Sequence, residues 1–160
     1  MSSGDCFITI DGVSGEADDT DFPASIEVVA WDWGIEMAAS TGRADVGTNA
    51  RADVKVFTFA HRFDAASPAL MTHCINNKPL KMATLTMRRA AGDLKGQKYL
   101  IIVFKQLRVA ELKMLHSAEH IRPLESVSLA FEEVNVDYVQ QARHGRDLTG
   151  KKTAAWRLHS

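Results

Sequence analysis

The chain has 160 residues, 46% hydrophobic and 24% charged with a net charge of −1, enough apolar material for one globular domain spanning residues 1–160 and no overall basic field to hold nucleic acid. No apolar run approaches the length of a membrane span. The start, Met1-Ser2-Ser3-Gly4-Asp5, has neither a basic cluster nor an apolar core for a secretory signal, so synthesis and folding in the cytoplasm are expected.

Period-two alternation dominates the elements in chain order. Cys6–Ile10 reads as a short strand ending in an Asp11-Gly12 turn. A long strand follows, with Val29, Trp31, Trp33, Ile35 and Met37 on an apolar face and Val28, Ala30, Asp32, Gly34 and Glu36 on the other. Two tryptophans among aliphatic neighbours of the same parity are expected in the core rather than on a stacking platform. The Gly-, Ala- and Ser-rich stretch Ala38–Ala52 reads as a long mobile loop, and loops of that length in small domains usually have a function.

Phe57 and Phe59 alternate with Val56 and Thr58 in the next strand. Ser67 reads as an N-cap with Pro68 in the first turn of a helix whose stripe is Leu70, Met71, Cys74 and Ile75. Lys81–Arg89 is a strand with Ala83, Leu85 and Met87 on its apolar face, and Gly92–Gly96 a hairpin turn. Gln97–Leu107 is apolar on both faces and reads as a central strand. A second helix is expected around Val109–His120.

Along Ser126–Tyr138 the apolar parity changes, from Val127, Leu129 and Phe131 to Val134, Val136 and Tyr138. A one-residue bulge near Glu132–Glu133 would keep both sets inward, as a strand passing between two sheets requires. The expected fold is therefore mainly β: a small β-barrel of two packed antiparallel sheets with one flanking short α-helix. Trp31, Trp33, Phe59, Leu70, Leu129 and Phe131 are its expected structural core.

No catalytic constellation emerges, and the chain is read as non-enzymatic with no cofactor and no metal. Cys6 and Cys74 sit singly among apolar neighbours and read as buried free thiols. His116 and His120 have helical ligand spacing with Glu119 between them but lack a third ligand. No serine lies in a nucleophile elbow, and no glycine loop is followed by the Lys and Ser or Thr that cradle phosphate. Adjacent strand acids such as Glu132 and Glu133 point to opposite faces rather than converging.

The order of several segments resembles the haemolysin-coregulated protein (Hcp) family, the inner-tube component of type VI secretion systems. These are Phe7–Glu16, Ile26–Gly34, Ser67–Met71, Ala83–Ala90 and Arg122–Phe131, followed by Val136-Asp137-Tyr138. The resemblance implies six copies closing into a ring, and rings stacking head to tail into an exported tube. It also implies a contractile sheath, a spike tip protein and effector proteins as partners, with neither nucleic acid nor membrane insertion.

Residues 1–45 carry a net of −9 and residues 140–160 a net of +4, which reads as ordinary solvated surface or, in a stacked tube, as opposite-signed faces that meet head to tail. Within that frame Ala30, Asp32 and Gly34 are candidates for the inner wall of the ring and effector contact. Ser40, Gly42, Arg43, Asp45 and Gly47 are candidates for a loop that reaches an adjacent ring or subunit. The alternative is a small β-barrel carrying an apolar ligand, which requires a hollow interior.

Overall fold

A computed structural model of the chain describes residues 5–38, 51–89, 97–140 and 150–158. Its elements are β1 (Cys6–Ile10), β2 (Ile26–Glu27), β3 (Ala30–Asp32), β4 (Ile35–Ala38), β5 (Arg51–Val54), β6 (Phe57–Arg62), α1 (Ala66–Ile75), β7 (Leu80–Arg88), β8 (Lys98–Leu115), β9 (Leu124–Ala130), β10 (Glu133–Val139) and β11 (Lys151–Arg157). The main ladder runs β2-β1-β7-β8-β9-β6-β3, with β10 on β8 and β11 on β10, all antiparallel; among the described residues β4 and β5 pair only with each other.

β8 organises this sheet because it is long enough to serve both halves. Lys98–Leu107 pairs with β7, and Arg108–Leu115 pairs with β9. Between the halves Gln106 sits at φ 58, a left-handed conformation rare for a non-glycine residue, and the register slips again between Val109 and Glu111. Leu112, Met114 and Leu115 are thus strand residues, and the helix expected over Val109–His120 is absent. Its helix-tolerant side chains are overruled by backbone pairing with β9.

Three further expectations change. The strand expected over 28–37 is two elements: β3 pairs with β6, while β4 turns away into its own hairpin with β5. Val28 is buried, whereas Val29, Ile35 and Met37 are exposed. The strand expected over Ser126–Tyr138 breaks at Phe131-Glu132 into β9 and β10, and Val127, Leu129 and Val134 all reach the core across the change of parity. The ladder also stops short of a closed barrel. Its ends, β2 and β3, belong to one chain segment, and single backbone bonds bridge the gap: Val28 N–H to the Cys6 carbonyl (2.9 Å) and Val29 N–H to the Ala60 carbonyl (2.8 Å).

The interior is filled by stacked and tilted rings. Phe104 lies 4.6 Å from Phe57 and 4.8 Å from Phe131, centroid to centroid, and Trp33 meets both Phe104 and Phe131 edge-on. Trp31 packs on Phe57 and Trp156 on Phe131. Phe59, Leu70 and Leu129 are buried, and Trp31, Trp33 and Phe131 are partly buried against the same core.

α1 covers the sheet with Leu70 and, in part, Cys74, but Met71 and Ile75 point to solvent. Its start is held by Asp64 rather than by Ser67 as cap. Asp64 Oδ1 accepts from Ala66 N–H (2.9 Å), and Ser67 Oγ accepts from Asp64 N–H (3.1 Å), a reciprocal arrangement.

Candidate functional site and assembly surfaces

Ala30 and Asp32 are exposed on β3, and Gly34 is exposed in the link to β4, while Trp31 and Trp33 turn the other way. Trp33 is tied at the root of the β4–β5 hairpin, donating its indole N–H to the Lys55 carbonyl (2.9 Å). Ser40, Gly42, Arg43, Asp45 and Gly47 lie outside the described residues; the described parts of the expected loop are the strand ends Ala38, Arg51 and Ala52.

β11, which the sequence reading did not anticipate, forms an open margin. Leu158 N–H donates to the Glu132 carbonyl (2.7 Å) and Gln140 N–H to the Gly150 carbonyl (2.9 Å). By the two-residue period of an antiparallel ladder, Lys151, Thr153, Ala155 and Arg157 turn their backbone groups away from β10, where no described strand meets them. Beside this edge lies a recess of about 440 Å3, lined by Val103, Lys105, Glu133, Asn135, Ala155 and Arg157 with parts of Val134 and Trp156. The first six residues have the parity opposite to core-facing Ile102, Phe104 and Val134, so the recess is on the sheet's outer face. The Thr153 hydroxyl donates to Asp137 Oδ1 (2.8 Å) and, with Lys151 at 3.4 Å, holds that carboxyl below the usual range.

At the far side of the sheet an ionic clasp holds down the acidic segment after β1. Arg88 grips Asp19 with two hydrogen bonds (2.7 and 3.0 Å) and faces Asp5 and Asp21, while its guanidinium lies over the stacked Phe7 and Phe22 rings. The Arg88 and Asp19 side chains are only 10% and 12% exposed. The Arg88 hydrogen bonds lower the Asp19 carboxyl from 3.8 to about 2. A carboxyl held lower in the folded chain stabilises the fold above pH 3.8 and loses that contribution as pH falls toward about 2. Thermal melts of an Arg88→Met variant are expected to be lower at neutral pH and to decline less than wild type through that acid window. An unchanged acid slope would remove Arg88 as its cause.

Inside the sheet, His61 and Glu125 form a wholly buried pair, Nε2 to Oε1 2.8 Å, directly opposed in the β6–β9 register. Asp64 Oδ1 lies 3.7 Å from His61 Nδ1, too far for a hydrogen bond, and neither Nδ1 nor Glu125 Oε2 has a hydrogen-bond partner among the described residues. Burial raises the Asp64 carboxyl, opposed by His61 and by the Ala66 amide. With no exposed atom, the pair is a structural element.

Among the described residues no group of three or more His, Cys, Asp or Glu is placed to hold a metal ion. His116 and His120 are exposed beyond the end of β8. Cys6 and Cys74 are free, and burial pushes the Cys6 thiol up to about 12, which keeps it unreactive. No helix among the described residues is long and apolar enough to cross a membrane.

The described residues thus form an antiparallel sheet packed around aromatic rings, with a strand margin that no described strand covers. The chain matches the family described as "Type VI secretion system effector, Hcp" over residues 7–138. It is 32% identical over 154 residues to Protein hcp1 of Pseudomonas aeruginosa, covering 96% of this chain and 94% of that protein. The crystal structure of a type VI secretion system effector from Yersinia pestis is similar at 31% identity and a TM-score of 0.75, covering 96% of this chain and 100% of that one. Hcp1 from Salmonella typhimurium is similar at 30% identity and 0.76, covering 98% and 95%. The chain belongs to the Hcp family, whose members are structural tube subunits of type VI secretion systems.

Proposed function

We propose that this chain closes into hexameric rings that stack head to tail into the inner tube of such an apparatus. The observation that supports this best is the open margin of β11 with its outer-face recess. It is a surface of donors, acceptors and apolar area that a different surface of the next copy can cover, as a heterologous, ring-closing contact requires. The subunit is made in the cytoplasm and leaves through the apparatus itself, with sheath, spike tip and effectors as partners.

Ala30, Asp32 and Gly34 belong to the ring's inner wall in this reading: they are exposed, and the first and last are small enough to leave the wall open. An Asp32→Trp variant is expected to keep its rings and lose effector retention in pull-down; undiminished retention would move the wall elsewhere.

The loop carrying Ser40, Gly42, Arg43, Asp45 and Gly47 reaches the adjacent ring or subunit. Replacing residues 39–50 by a short Gly-Ser turn is expected to shorten or abolish tubes in electron micrographs, with the circular-dichroism melt of the sheet retained. Tubes of undiminished length from that variant would sink the assignment.

A further inference from the structure

The β4–β5 hairpin forms a sheet separate from the main ladder, with four residues in each strand and, among the described residues, no strand partner but itself. An isolated hairpin of two strands is marginal in water. This one also holds Ile35 and Met37 57% and 62% exposed, on one face of β4 by the strand's period. Its ionic contacts are solvated: Lys55 meets Glu36 at 3.5 Å and also Asp53.

β11 is the complementary case. It offers four outward-turned backbone positions, and beside them a recess whose lining includes the apolar Val103, Val134, Ala155 and Trp156. Lys152 has the opposite parity and no ion partner among the described residues. The hairpin leaves the ladder from β3, whereas β11 ends the branch carried by β8 and β10. One copy therefore presents the two at different margins, the arrangement that lets a contact repeat from copy to copy.

We propose that the β4–β5 hairpin of one copy adds to the open edge of β11 in the next copy round the ring. β4 becomes an extra strand of the neighbour's sheet, through backbone bonds to alternate residues of β11. Ile35 lies on the recess side level with Thr153, and Met37 level with Ala155, while Glu36 lies on the other side, level with Ala154 and within diagonal reach of Lys152. This pairing rests on the ring reading above and supplies the two surfaces that meet.

The test is a pair of cysteines, Met37→Cys with Ala155→Cys, in the full chain with Cys74→Ser, leaving only the buried Cys6. Oxidation of the purified protein is expected to give a covalent ladder on non-reducing gels, rising to the hexamer, from the double variant and from neither single variant. Ile35→Cys with Thr153→Cys provides the same readout if the first pair folds poorly. Rings in micrographs without a ladder from either pair overturn the pairing and leave the ring reading standing. A ladder that stops at the dimer also overturns it, because a reciprocal contact would then be in place. A monomer by light scattering, with no ladder, removes the ring and this contact together.

Discussion

Replacing His61 by Leu is expected to cost about 3 kcal/mol of folding stability, because it leaves a buried carboxyl group without its hydrogen-bond partner. The variant leaves Glu125 facing an apolar side chain at a site with no solvent access, and Glu125 already has one carboxylate oxygen without a hydrogen-bond partner. Asp64 cannot compensate, since its own carboxyl is an acid and lies on the opposite side of the imidazole.

The converse change, Glu125→Leu, is expected to cost less, about 1–3 kcal/mol. What remains is a buried imidazole with unmet hydrogen bonds. The double replacement by Leu is expected to be more stable than His61→Leu alone, because it leaves no orphaned carboxylate. Urea denaturation of the four proteins measures the coupling. Additive costs for the two single changes would show that the pair does not act as a unit.

Phe104→Ala is expected to cost a similar amount, about 3–5 kcal/mol, through a different mechanism. Phe104 is wholly buried at the point where Phe57, Phe131 and Trp33 converge, and it is contributed by the half of β8 that pairs with both β7 and β10. Truncation removes the ring's transfer free energy and opens a cavity that three rigid neighbours cannot collapse to fill. Phe104→Leu is expected to recover most of the loss, since it restores volume without the ring geometry. The comparison is made by denaturant midpoints at constant m-value. A loss well under 1 kcal/mol for Phe104→Ala would mean that the interior is loosely packed, which is the condition an apolar-ligand carrier needs.

Much of the strand order was legible because alternation reports which face a residue takes. Cys6–Ile10 and Leu80–Arg88 lie close to where their patterns place them, and the parity change near Glu132 marks the passage from β9 to β10. Alternation does not report which strand is the partner. The period runs unbroken from Val29 to Met37, yet β3 pairs with β6 and β4 with β5, so Ile35 and Met37 keep the tryptophans' parity without their burial.

The same limit hid the second half of β8, where pairing with β9 overrides helix-tolerant residues. β11 carries Lys-Lys-Thr-Ala-Ala, with no apolar period, and is a strand only because β10 pairs with it. His61 and Glu125 are 64 positions apart and look like ordinary polar strand residues until the β6–β9 register sets them face to face. The assembly surfaces were the least legible part, since an open edge is a property of the finished ladder. The resemblance to the Hcp family implied a ring but did not indicate the β11 edge.

The central claim, that this subunit closes into a hexameric ring, is tested most directly by negative-stain electron microscopy of the purified chain with its mass taken by light scattering. Six-fold rings with an open centre and a solution mass of six copies are expected. A compact monomer across the working concentration range would contradict it, leaving the fold and its family in place but removing the ring.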